Sequence, residues 1–97
     1  MPAYLVAFVD VSDEERYAQE YVPPVLELVH RHGGRLLCAA DTVSLKEGTW
    51  PKGRTVIIEF PDMGAAEAWY NSAEYRPLLE LRGNFAESVL ALMPGVQ

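Results

Sequence analysis

The chain has 97 residues, of which 49% are apolar and 23% are charged, and these proportions are typical of one folded domain and exclude a disordered chain. Its formal net charge of −6 disfavours nucleic acids and anionic membranes as partners, since both are bound through clustered Lys and Arg. A single cysteine, Cys38, excludes an internal disulfide and a cysteine-based zinc site, and no apolar stretch has the length of a signal peptide or a membrane span. We therefore expect one cytoplasmic domain over residues 1–97, with neither nucleic acid nor membrane as a partner.

The first predicted strand spans residues 3–11 and is apolar at even and odd positions alike, which is typical of a strand buried on both faces. Ser12 and Glu15 have the spacing of a capping box and predict the start of a helix. An apolar side chain then recurs every fourth residue, at Tyr17, Tyr21, Val25 and Val29. Because Pro23 and Pro24 lack an amide proton, we expect a break or sharp kink near Val22.

Gly33-Gly34 predicts the end of this helix, and residues 35–47 then form a long second strand with its turn at 48–53. The third strand begins near Arg54 and stops at Pro61.

The rest of the chain is predicted as two helical segments and a last strand. Asp62 is a plausible N-cap for a helix over residues 63–71, and Ser72 for a further segment over residues 73–82. The final strand spans residues 84–93.

The order strand, helix, strand, strand, helix, strand predicts an α+β protein with a ferredoxin-like βαββαβ fold. In that fold an antiparallel four-stranded sheet carries both helices on one face. The other sheet face would stay apolar and exposed in a single chain, and a patch of that kind usually marks an interface. We therefore expect a homodimer formed through the sheet face.

Three stretches carry a family resemblance: GTWPKGR at residues 48–54, VIIEFP at 56–61, and AWYNSAEY at 68–75, followed by Leu81-Arg82. They closely resemble the DUF1330 family of the dimeric α+β barrel superfamily, and the similarity spans nearly the whole chain. The resemblance implies a ferredoxin-like protomer whose sheet pairs with that of a second copy to form a dimeric α/β barrel. The family name records an unknown function, and the superfamily includes cofactor-free monooxygenases, isomerases, haem-dependent enzymes and stress-response proteins, so the fold alone assigns no chemistry.

Aromatic residues are the first candidates for a binding site. They lie on the apolar side of the first helix or in the second helical region, at Tyr17, Tyr21, Trp69, Tyr70 and Tyr75. Together they would line a pocket between helices and sheet, with their phenol groups orienting a small polar ligand. The alternative is that they serve only as core.

Three charged residues are further candidates. Arg54 and Arg82 would clamp a carboxylate ligand, or else bind the protein's own acids or helix-end carbonyls. Glu59 lies in the middle of an apolar strand, so it is either paired with an arginine, Arg54 across the dimer being one choice, or a general base with a raised pKa. His30 and His32 have the wrong spacing for a metal site on a helix, and we expect neither a metal nor a cofactor.

Two functions follow from these candidates. The first is a cofactor-free enzyme or binder that acts on a small apolar or carboxylate molecule in the pocket. The second is a non-catalytic structural or interaction homodimer in which the aromatic residues only pack. No motif names a reaction, so whether the protein is an enzyme stays open.

Overall fold

The computed structural model describes residues 1–96 and forms an α+β fold. Its elements in chain order are β1 (Ala3–Val11), α1 (Glu14–Arg16), a π-helical segment (Tyr17–Tyr21), α2 (Val22–Arg31), β2 (Arg35–Ala40), β3 (Arg54–Phe60), α3 (Met63–Asn71), α4 (Tyr75–Arg82) and β4 (Ala86–Pro94). The strands form one antiparallel sheet in the order β2-β3-β1-β4. The ferredoxin-like prediction is therefore confirmed.

The two faces of the sheet differ in burial. On β1 the odd positions from Ala3 to Val9 are at most 4% exposed and pack under the helices; this is the covered face. The even positions point to the opposite side, the open face, which carries Tyr4, Val6, Phe8, Thr55, Ile57 and Val89. Val89 is 68% exposed there. The predicted apolar face without helices is thus present.

The second strand is shorter than predicted. It ends at Ala40 rather than at residue 47, and residues 41–53 are exposed. Ala40 pairs with Thr55, one residue after β3 begins, so the residues beyond Ala40 have no strand beside them to satisfy their backbone groups. Gly53 closes the loop with a φ of 97°, and a Cβ there would lie 2.6 Å from the carbonyl carbon of Val9; only glycine fits this crossing.

The first helix begins differently from the predicted capping box. Asp13 is the N-cap, and its Oδ1 accepts a hydrogen bond from the Arg16 amide at 3.1 Å. The Ser12 hydroxyl instead donates to the Phe85 carbonyl at 3.0 Å. Ser12 therefore binds the segment before β4, a partner that is distant in sequence and that a local sequence motif does not include. The capping-box prediction is wrong.

At the position of the predicted break or sharp kink, near Val22, the helical hydrogen bonding changes. The Val22 amide donates to the Tyr17 carbonyl, five residues earlier, which is the π-helical pattern. Pro23 and Pro24 follow as the second and third residues of α2, and they have no amides to offer the carbonyls of the preceding turn. A π turn therefore interrupts the α-helical bonding where a break or sharp kink was predicted, and the chain continues beyond it as α2.

The second helical region has the predicted N-cap at Asp62, whereas the N-cap of α4 is Glu74 rather than Ser72. Asp62 Oδ1 accepts from the Ala65 amide at 2.7 Å, and Ser72 Oγ accepts from the Tyr75 amide at 3.2 Å. α4 begins two residues later than predicted and ends at the Gly83 C-cap. This geometry turns Trp69 and Tyr75 into the core, where each is at most 1% exposed.

Candidate functional site

A cavity of about 260 Å³ lies between the covered face of the sheet and the helical segments above it. Most of its lining is aliphatic, from residues such as Leu5, Val25, Val56 and Leu90. A cavity of about 150 Å³ is enough to hold benzene, so this one has room for a substituted ring or a molecule of similar bulk. It is partly open to solvent.

Five of the eight predicted site residues line this cavity: Tyr17, Tyr21, Arg54, Trp69 and Arg82. Tyr17 and Tyr21 are brought together by the π-helical segment, with their rings stacked at a centroid distance of 5.3 Å. Glu59, Tyr70 and Tyr75 do not line it. Each of these three has a different position in the fold.

Tyr75 lies behind the cavity wall and supports two of its residues. Its hydroxyl is 3.0 Å from the Tyr21 hydroxyl and accepts a hydrogen bond from Arg82 Nη1 at 3.0 Å, while the same Nη1 reaches the Tyr21 hydroxyl at 3.3 Å. Burial raises the pKa of both tyrosines above the usual tyrosine value. Both phenols therefore remain protonated at neutral pH.

Arg54 is neutralised by the protein's own acids. Its Nε lies 2.7 Å from Asp41 Oδ1 and its Nη2 lies 2.8 Å from Glu14 Oε2, while its guanidinium stands 5.4 Å from the centre of the Tyr17 ring. These two hydrogen-bonded carboxylates raise the pKa of Arg54. Arg54 thus joins α1 to the loop after β2 at the rim of the cavity, the second of its predicted roles.

Glu59 is on the other side of the sheet from the cavity. Strand alternation places Arg54 on the covered face and Glu59 on the open face, so the predicted partnership of Glu59 with Arg54 is not formed within the chain. Glu59 pairs instead with Arg35 at 2.8 Å and accepts from the Tyr4 hydroxyl at 3.2 Å. The hydrogen bond from Arg35 lowers the pKa of Glu59. A general base with a raised pKa is therefore wrong for this residue.

Tyr70 packs outside the cavity, with its ring 5.6 Å from that of Tyr75. The Arg76 guanidinium stands over the Tyr70 ring at 4.8 Å and donates to the Tyr70 backbone carbonyl. This position fits the packing role that the sequence left open.

Trp69 has a feature that the sequence did not signal. The residue is 1% exposed and lines the cavity, yet its indole Nε1 has no hydrogen-bond acceptor among residues 1–96. A buried donor without a partner costs on the order of 1–3 kcal/mol. Helical spacing predicts that Trp69 is buried but not that its N–H is left unpaired.

The lining offers hydrogen-bond donors and no base. Within the described part of the chain it contains no Asp, Glu, His, Cys or Lys, and its ionisable groups are protonated tyrosines and charged arginines. No cluster of three or more His, Cys, Asp or Glu suited to a metal ion occurs in residues 1–96. None of the helices in that range is long and apolar enough to cross a membrane.

Solved structures with a similar fold include two proteins of different description. The RPA0582 protein of unknown function from Rhodopseudomonas palustris superposes with a TM-score of 0.78 at 17% identity, covering 99% of this chain and 83% of that one. A point mutant of SnoaB, a cofactor-independent oxygenase from Streptomyces nogalater, gives 0.69 at 15% identity, covering 99% and 94%.

A structure described as an antibiotic biosynthesis monooxygenase gives a TM-score of 0.55 at 19% identity, with both chains fully covered. At these identities the likeness establishes the fold alone. No curated protein matches the sequence significantly. The sequence does match the DUF1330 family, a domain of unknown function, over residues 2–96, and the chain belongs to that family.

Proposed function

We propose that the protein is a cytoplasmic, homodimeric, cofactor-free enzyme that acts on a compact and largely apolar small molecule in the cavity between helices and sheet. The observation that carries this proposal is the cavity itself. Its aliphatic walls are in contact with solvent, and the protein therefore lacks the stabilisation of about 25 cal/mol that each Å² of apolar surface would contribute if it were buried. A compact apolar ligand restores that burial, which gives the space a physical reason to be filled.

The chemistry of the lining narrows the kind of reaction. Because no lining group accepts a proton at neutral pH, the substrate has to bring its own acidic or electron-rich centre, and the protein contributes orientation and charge stabilisation. The similarity in fold to a cofactor-independent oxygenase supports this class of reaction.

The open face supports the homodimer. Its residues include Val6, Ile57 and Val89, and Trp50 packs edge-on against Phe8 there at a centroid distance of 5.6 Å. A second copy brings an identical apolar surface and buries both through a two-fold axis.

A second function, a non-catalytic structural or interaction homodimer, is favoured by the same lack of a base in the cavity. The two functions differ in what happens to a bound molecule. A catalyst consumes its ligand under air, whereas a non-catalytic homodimer leaves it unchanged, and chromatography of the ligand after incubation separates them.

The cavity is tested with thermal unfolding in the presence of neutral one-ring and two-ring aromatic compounds. A ligand at 100 times its dissociation constant stabilises the fold by about 2.7 kcal/mol, so the wild-type melting temperature should rise. Val56→Phe, which fills the cavity, should lose this response, whereas the matched Leu92→Phe, on the same sheet face but outside the cavity lining, should keep it. If neither these compounds nor their carboxylates stabilise the wild-type protein, the proposal is wrong.

A further inference from the structure

Arg82 is a partly buried cation without a counterion. Among residues 1–96 no carboxylate lies within ion-pair distance of it, and its hydrogen-bond partners are the hydroxyls of Tyr21 and Tyr75. Both bonds come from Nη1, so the hydrogens on Nε and Nη2 have no protein acceptor in this range. Arg54, the other arginine of the lining, has two carboxylates. Uncompensated positive charge in the cavity is therefore concentrated at Arg82.

Of the two hydroxyl protons of Tyr21 and Tyr75, one has no hydrogen-bond acceptor in the described part of the protein. They lie 3.0 Å apart, so one hydroxyl donates to the other, and each also accepts from Arg82. The second hydroxyl proton has no acceptor among residues 1–96. Tyr21 is the member of the pair that lines the cavity, and its hydroxyl becomes a free donor when Tyr75 donates to it.

The polar groups available to a cavity ligand are therefore the Arg82 guanidinium and the Tyr21 phenol. The indole Nε1–H of Trp69 is unpaired but fully buried, so a ligand in the cavity does not reach it. Within residues 1–96 the cavity lining has hydrogen-bond donors to spare and contains no carboxylate or imidazole.

We propose that Arg82 and Tyr21 form an anion subsite, and that the ligand of the cavity is a monoanion whose charged oxygens bind there while its compact apolar body fills the rest. This inference rests on the proposed function of the cavity. An ionised carboxylate or phenolate is an acceptor without a donor, which matches a set of donors. It also supplies the counterion that a partly desolvated guanidinium lacks.

The experiment compares ligands of equal shape and different charge. Benzoate and nitrobenzene are isosteric, and naphthoate and nitronaphthalene repeat the comparison with a larger body. Isothermal titration calorimetry at neutral pH should show about tenfold or tighter binding of the carboxylate in each pair, as expected for hydrogen bonds to a charged group. Arg82→Gln should reduce this preference to near unity, and Tyr70→Phe, which leaves the cavity lining intact, should keep it.

A second variant leaves Arg82 in place. Tyr21→Phe keeps the ring and removes only the hydroxyl donor, so benzoate should bind severalfold more weakly while the affinity for nitrobenzene stays the same. Circular dichroism and the melting temperature of Tyr21→Phe check that the variant is folded.

The outcomes separate the two proposals. If nitrobenzene and nitronaphthalene bind as tightly as their carboxylates, the anion subsite is overturned while the apolar cavity stands. If folded Tyr21→Phe binds benzoate as tightly as the wild-type protein does, the role of Tyr21 is overturned. A carboxylate preference that survives in folded Arg82→Gln overturns the role of Arg82. If no member of either pair binds, the proposed function fails and the subsite fails with it.

Discussion

Two arginines on one cavity differ in their partners, and this difference decides what each can do. Arg54 holds Glu14 and Asp41 and serves as a tie between α1 and the loop after β2. Arg82 holds only phenol hydroxyls, so its charge is available to a ligand. Residue type alone does not distinguish these roles, because both guanidiniums offer the same donors.

Glu59 leads to a prediction for acid stability. Because Arg35 lowers the pKa of Glu59 in the folded state, the unfolded state binds more protons between that value and the usual glutamate value of about 4.3. The stabilisation is fully present above about pH 4.3 and is lost as the pH falls through the folded-state pKa. We expect the free energy of unfolding of the wild-type protein to fall more steeply below this pH than that of Glu59→Gln.

Urea denaturation at a series of acidic pH values measures how steeply the free energy of unfolding changes with pH. Glu67→Gln is the matched control, since Glu67 is exposed on α3 and makes only a long hydrogen bond of 3.4 Å to Asn71. Identical slopes for the wild-type protein and Glu59→Gln would contradict the prediction.

At the scale of elements, the π-helical segment is the feature that shapes the cavity. It widens one turn just before Pro23-Pro24 and sets Tyr17 and Tyr21 on the same buried side, where both line the cavity. π turns within α-helices are frequent at functional sites. Here the turn precedes two prolines that lack amide protons, which is a local physical reason for the change in hydrogen bonding. The turn brings the rings of Tyr17 and Tyr21 together.

Deletion of Gln19 tests this element. Removing one residue lets the turn adopt α-helical bonding, and the residues before it then rotate by about 100° around the helix axis. Tyr17, now 5% exposed, would leave the core, and we expect a loss of about 2–3 kcal/mol in the free energy of unfolding. Gln19→Ala, at the same exposed position without a change of length, should cost well under that amount in urea denaturation. Equal stability of the two variants would show that the π turn does not position Tyr17.

At the scale of the whole molecule, one face of the sheet has no helix over it. The open face is formed by all four strands, and Val89 on the edge strand β4 is 68% exposed. Helices of a chain this short cover only one side of a four-stranded sheet, and small domains bury a limited fraction of their surface. A second copy is the proposed cover.

The dimer is tested by sedimentation at micromolar concentration. The wild-type protein should sediment at twice the chain mass, and Val89→Lys should sediment at the mass of one chain, because a lysine in an apolar interface is desolvated without a partner. Ala68→Lys, an exposed position on α3, adds the same charge on the helical side and should remain dimeric. Wild-type protein that sediments as a single chain would refute the homodimer.

Local features were predictable from the sequence because they depend on residues a few positions apart. The continuous apolar runs of β1 and β3, the cap at Asp62, and the apolar helical spacing through Tyr17 and Tyr21 all involve neighbours along the chain. These features were sufficient for the order of elements and for five of the residues that line the cavity.

The tertiary structure decided every feature that depends on a partner distant in sequence. The end of β2 follows from where β3 begins, Ser12 is bound by Phe85, and Glu59 finds Arg35 rather than Arg54. The unpaired indole of Trp69 and the unneutralised Arg82 likewise depend on what surrounds them in three dimensions. A polar or charged group forms its hydrogen bonds with whichever groups the packing brings within about 3 Å. The sequence pattern of a single segment does not identify those groups, because they come from other parts of the chain.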